Sequence, residues 1–143
     1  GGIDMLAGVE SAGTLNTPVS LVDQDIRTTI KRFSDKVTTG ELLRLVAYFG
    51  LAQIHFLRQT NKQIEEQVNP ENMDIQRMID EIGEKLPSFK KVFIDERNYV
   101  IVENIEGLAI EFTDIVLVLG AGHEPGVKEQ LTTIEGITVK TVN

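Results

Sequence analysis

Three short segments concentrate the ionisable side chains that could act on a ligand, and each follows an apolar run. Val22-Asp23-Gln24-Asp25-Ile26-Arg27 and Ile94-Asp95-Glu96-Arg97 set carboxylates beside guanidinium groups, and Gly120-Ala121-Gly122-His123 carries one of the two histidines. Gathered on one edge, they would supply an imidazole, carboxylates and guanidinium groups, a set suited to metal binding, acid–base chemistry or oxyanion stabilisation. A catalytic zinc takes about three protein ligands, so His123 needs Glu96 or Asp23 within reach to hold a divalent metal ion. There is no HExxH helix. The glycine-rich turn lacks the lysine and serine of a phosphate-binding P-loop, and the GxGxxG spacing is absent.

Each of these residues also has a purely structural reading. Asp25 reads as a helix cap, and Asp23 and Asp95 can serve the same way. Arg27 and Arg97 can pair with those carboxylates to fix loops. Gly120, Gly122 and Gly126 can do no more than allow tight turns. His55 lies in an apolar stretch and reads as a packed residue. His123 stands apart, because a loop position offers no packing reason for an imidazole.

The elements that must position these groups follow from caps and periodicity. Met5 to Ala12 suits a short helix closed by Gly13. Val19 to Val22 is a strand candidate, and Asp25 caps a helix through Ile26, Ile30 and Phe33. Thr38 and Glu41 have capping-box spacing at the head of a long helical stretch to about Val68. Asn69-Pro70 breaks it, and Met73 to Ile82 forms another amphipathic helix that ends near Leu86-Pro87. Lys91 to Ile94 is a strand candidate. Tyr99 to Val102 is β-branched, yet Tyr99, Val102 and Ile105 keep helical spacing and Asp95 can cap, so a helix is expected there. Ile115 to Leu119 reads as a buried strand, Val127 to Thr133 as a helix, and Gly136 to Val142 alternates as a final half-exposed strand. The sum is an α/β fold: a mainly parallel sheet of about four strands flanked by helices, with residues 38–87 a helical insertion in a single domain 1–143. In such sheets ligands bind at the carboxyl ends of the strands, where His123 would sit.

Composition narrows the function classes. A net charge of −8 argues against nucleic acid as a partner, because no broad basic surface replaces counterions on phosphate. With no cysteine, a disulfide scaffold, a thiolate metal site and a cysteine nucleophile are excluded. The most apolar run, Leu42 to Leu57, is shorter than the ~20 residues of a membrane span and contains Arg44 and His55, so no span is expected. Gly1-Gly2-Ile3-Asp4-Met5 has neither an initiator methionine nor a signal-peptide pattern and reads as excised from something longer, processed, or fitted with a cloning remnant. Cellular location stays open.

In order along the chain, these segments resemble the TraB/PrgY (pheromone shutdown) family. Asp4 to Ala12 and Pro18-Val19-Ser20-Leu21-Val22-Asp23-Gln24-Asp25-Ile26-Arg27 through Arg32 are similar to the segment holding that family's D-R-D-I turn. Gln24 stands where the family has arginine. Asp95-Glu96-Arg97-Asn98 is similar to its DER[DN] motif, and Val118 to Val127 to its V-G-A-G-H-x-x-G-I motif. The resemblance covers nearly the whole chain and corresponds to the later part of the domain, downstream of the family's first GxxH motif.

The resemblance implies a domain distantly related to Tiki proteases and to erythromycin-esterase-like and ChaN-like proteins. Tiki-type members are metal-dependent peptidases that use two GxxH motifs, and PrgY limits the activity of peptide pheromones. His123 would then be the second GxxH metal ligand, and Glu96 and Arg97 its catalytic partners. Asp23, Arg27, Gly120 and Gly122 would line the binding site. The expected function is binding or inactivation of peptide signals, with a divalent metal ion as cofactor if it is a hydrolase. The alternative is a non-catalytic peptide-binding protein, or an incomplete domain that needs a partner strand. An unpaired sheet edge would favour a homo-oligomer or a partner chain.

Overall fold

The computed structural model describes residues 2–44, 46–47 and 75–141. They form helices α1 (Gly2–Thr14), α2 (Ile26–Lys36), α3 (residues 39–44 and 46–47), α4 (Ile75–Lys85) and α5 (Pro87–Lys90). A π-helical turn (Lys91–Asp95) joins α5 to α6 (Glu96–Ala109), and α7 (Glu124–Thr132) follows after an irregular stretch. The expected break at Asn69-Pro70, His55, and the expected helical course from 48 to 68 lie outside the described residues.

Local chemistry explains most helix ends. α1 runs past Gly13 and is closed instead by Asn16, at φ 53°. The Thr17 N–H donates to Ala12 O and that of Asn16 to Gly13 O, a Schellman pattern that satisfies the last carbonyls. α2 starts where the Asp25 carboxylate accepts from Arg27 N at 2.8 Å and Thr28 N at 3.4 Å. At α3 the expected capping box is present: Thr38 N donates to Glu41 Oε2 at 2.8 Å, and Glu41 N donates to Thr38 Oγ1 at 3.2 Å. The same carboxylate accepts from the N–H and hydroxyl of Ser88, at 2.8 and 2.9 Å. Glu41 thereby ties the head of α3 to the head of α5, and the Ser88 and Thr38 amides, donating to the buried carboxylate, pull its pKa down to about 2.

The mainly parallel α/β sheet is not what the chain forms: among the described residues there is no strand and no ladder. Val19–Val22, Ile115–Leu119 and residues 137–141 run as irregular backbone. Their β-branched composition favours a half-buried pleated surface, but a sheet also requires a neighbouring strand at ladder distance. Val22, Leu117, Leu119, Ile137 and Val139 pack on the same core, but no ladder joins these segments among the described residues. Val116 remains 93 % exposed. The segment Lys91–Ile94 departs further, since it is helical. Phe89 and Phe93 stack with ring centroids 4.6 Å apart, and Phe33 of α2 meets Phe93 edge-on at 5.3 Å. Helical spacing puts Phe89, Val92 and Phe93 on one side, and Val92 is fully buried there. Because the chain is already helical at Asp95, that residue makes no cap.

The core sits between α6 and α7. Ile101, Val102 and Ile105 on α6 pack with Val127 and Leu131 on α7, and Val22, Leu117, Leu119, Ile134, Ile137 and Val139 close over them. Each fully buried side chain of this kind contributes about 1.5–3 kcal/mol. α1 adds little to this core: Ile3, Leu6 and Val9 are exposed, and Gly8 approaches Val118.

Ile101→Ala should lower the unfolding free energy by about 2–5 kcal/mol in a denaturant titration, whereas Val116→Ala at the exposed site should leave it nearly unchanged. The depressed pKa of Glu41 sets a second expectation. Its contribution is complete above the ordinary carboxyl value of 4.5 and is lost as pH falls towards about 2. Stability of the parent chain should therefore decline through that window more steeply than that of Glu41→Gln, as read by denaturant melts at a series of pH values.

Candidate functional site

The helical stripe that makes the core also makes the site. On α6 the buried positions Asn98, Ile101, Val102 and Ile105 fall at i, i+3, i+4 and i+7, the spacing of one helix face. His123, Val127 and Leu131 are spaced by four on the facing element. Asn98 and His123 thus extend the apolar contact with polar side chains. His123 is 8 % exposed, and its Nδ1 lies 2.7 Å from Asn98 Oδ1. The turn that presents it closes by His123 N donating to Gly120 O at 2.8 Å, and Val127 N donates to His123 O at 2.9 Å as α7 begins. Pro125 suits this first turn, where a missing N–H costs nothing.

A pocket of about 170 Å³ opens beside this pair, lined by Met5, Val22, Asp23, Arg97, Ile101 and Leu117–Leu119, with Gly120 and His123 completing it. Its walls are apolar except at Asp23, Arg97 and His123. Arg97 grips Asp23 through both carboxylate oxygens, Nε donating to Oδ1 at 3.0 Å and Nη2 to Oδ2 at 2.5 Å. Burial alone would raise the Asp23 carboxyl. The hydrogen bonds and charge of Arg97, with the Gln24 amide and the His123 charge, hold it below its ordinary value. His123 is lowered by burial first and then by the Arg97 charge, with Asp23 opposing. The lowering favours the neutral imidazole, which suits an acceptor or base more than a cation.

The remaining expected site residues fall elsewhere. Glu96, next to Arg97 in sequence, faces α2, where Lys36 and Arg32 both donate to it, Arg32 Nη1 at 3.1 Å. The hydrogen bond from Lys36, against the effect of burial and aided by Arg32, keeps its carboxyl below the usual range. Arg27 is exposed on α2 and lies outside the pocket lining, as does Gly122 in the turn. Gln24 donates through Nε2 to the buried Thr29 hydroxyl at 2.9 Å, and Asn104 Nδ2 holds the Val22 carbonyl at 2.8 Å; both bonds anchor the strand-like segment that carries Asp23. Gly126 is required by close packing, since a Cβ there would overlap Asn98 Nδ2. Sequence reasoning missed Asn98 as a site residue. The available signal was a polar side chain in the register of an otherwise apolar helix face.

Among the described residues no group of three His, Asp or Glu side chains is placed to hold a metal ion. Both oxygens of Asp23 are engaged by Arg97, and Nδ1 of His123 is engaged by Asn98. No fully buried side-chain nitrogen or oxygen among the described residues lacks a partner.

A model of the TraB/PrgY/gumN family matches residues 3–141. The chain belongs to this family. It is similar to an uncharacterized protein of Methanocaldococcus jannaschii, 27 % identical over 135 residues, which covers 94 % of this chain and 33 % of that protein. The chain thus spans a third of the length of the curated relative it matches. No solved structure matches. No helix among the described residues of this TraB-family chain is long and apolar enough to cross a membrane.

The charges around His123 predict the sign of two substitutions. Arg97→Met should raise the imidazole pKa, by removing a cation and releasing Asp23. Asp23→Asn should lower it further, by leaving Arg97 unopposed. Titration of the His123 ring protons by NMR measures both, and the reverse order would refute the charge arrangement.

Proposed function

We propose that this TraB-family chain binds a short extended peptide, taking one apolar side chain into the pocket and meeting the peptide's polar groups with His123 and Arg97. The observation that carries the reading is the pocket's size and lining. Pockets for drug-sized ligands and cofactors occupy roughly 300–1,000 Å³, whereas this one, at about 170 Å³, matches a single side chain. Its walls of Met5, Val22, Ile101, Leu117 and Leu119 favour an aliphatic group. A neutral imidazole at the edge offers a hydrogen bond to a peptide unit without the desolvation cost of a charge. Leu117–Leu119 line the pocket and take part in no ladder, and an extended peptide pairs with backbone of this kind.

Metal-dependent hydrolysis at the same site is the less supported reading, because His123 would need ligands from outside the described residues. Glu96, expected as a metal ligand or general base, is committed to Lys36 and Arg32 on another face.

Calorimetric titration with pentapeptides bearing one central leucine or isoleucine, in the presence of chelator, tests the proposal. Binding is expected to survive metal removal and to weaken by at least about tenfold in His123→Ala and in Arg97→Met, the loss of one good polar contact. Absence of binding across such peptides would overturn it. So would zinc that is retained through dialysis, lost in His123→Ala and required for peptide cleavage.

A further inference from the structure

We propose that Asn98 is a positioning residue that fixes the tautomer of His123, keeping the proton on Nδ1 and leaving the Nε2 lone pair to serve the pocket. The geometry is a single buried contact. Asn98 Oδ1 lies 2.7 Å from His123 Nδ1, and both side chains are buried, at 4 % and 8 % exposure. An amide oxygen can only accept, so a bond of this length requires the imidazole to donate from Nδ1. The other ring nitrogen of a neutral imidazole then carries no proton. His123 lines the pocket, and its one ring nitrogen not bound to Asn98 is Nε2.

Three features hold the arrangement in place. Asn98 is one turn from Ile101 and Val102 on the buried face of α6, so its backbone position is set by the core. Gly126, on the first turn of α7, lets the amide lie directly against the helix, because any Cβ there would strike Nδ2. Arg97, the stronger of the two charges acting on the imidazole, favours a lone pair over a second N–H towards the shared pocket. Together these make Nε2 an acceptor, suited to a peptide N–H. The functional consequence rests on the peptide-binding reading, but the tautomer can be read with no peptide present.

The experiment is a long-range ¹H–¹⁵N correlation spectrum of ¹⁵N-histidine-labelled protein, recorded above the imidazole pKa. His123→Gln assigns the signals against His55. In the parent chain, Nδ1 of His123 is expected to show the pyrrole-type shift of a protonated nitrogen and Nε2 the pyridine-type shift. Asn98→Ala should lose that signature and shift the ring towards the Nε2–H form. Asn98→Asp, which also accepts at this position, should retain it, and Gly126→Ala should lose it with Asn98 still present. An Nε2–H tautomer in the parent chain overturns the proposal, as does an unchanged Nδ1–H tautomer in Asn98→Ala. Because the parent spectrum alone identifies the protonated nitrogen, a variant that fails to fold does not protect the proposal. An Nδ1–H tautomer together with no peptide affinity would refute the binding reading and leave the positioning role standing.

Discussion

The contact between α6 and α7 is the constraint on which everything else in this chain depends. Its apolar part, Ile101, Val102 and Ile105 against Val127 and Leu131, holds two helices that rest on no sheet among the described residues. Its polar end, Asn98 against His123, lies in the same register. A buried polar pair is costly unless satisfied, and here the two groups satisfy one another. The site therefore occupies the end of the core itself, with the imidazole buried in it. Gly126 is the local condition for that approach, since only a residue without Cβ leaves room for the amide.

Charge is distributed around this contact so that little of it faces the pocket unbalanced. Glu96 and Arg97 are neighbours in sequence, but successive helical positions point about 100° apart. Glu96 turns to Lys36 and Arg32 of α2, and Arg97 to Asp23. The first set fastens α2 to α6. The second fastens the irregular segment after α1 across the pocket mouth, where Asn104 also grips the Val22 carbonyl. These pairs are partly exposed and so contribute modestly to stability. Their larger effect is positional, because they decide which ionisable groups share the pocket with His123.

Glu41 performs the corresponding task between α3 and α5. Local sequence spacing foretold its bond to Thr38, but not the two bonds from Ser88, 47 residues away. One carboxylate caps α3 and receives the head of α5 in the same stroke. The chain past α5 then stays helical through Lys91–Asp95, where a β-branched, aromatic sequence reads locally as a strand. Packing of Phe89 and Phe93 against Phe33, with Val92 fully buried, outweighs that preference.

The sequence by itself determined what depends on neighbours a few residues apart. Asp25 caps α2, Thr38 and Glu41 form their box, and the i, i+3 spacing of Tyr99, Val102 and Ile105 marks a helix. The turn holding His123 and the motifs that place the chain in the TraB/PrgY/gumN family were likewise legible. Tertiary structure alone decided whether the strand-like runs at 19–22, 115–119 and 137–141 would pair, because a ladder needs backbone groups in register across two segments, not composition alone. It alone turned Glu96 away from His123, while Arg97 came to line the pocket with it. It also brought in Asn98, whose side chain reads as an ordinary helix polar residue until the facing helix supplies the imidazole. Periodicity reports which face is buried, and only the packed partner decides what that face meets.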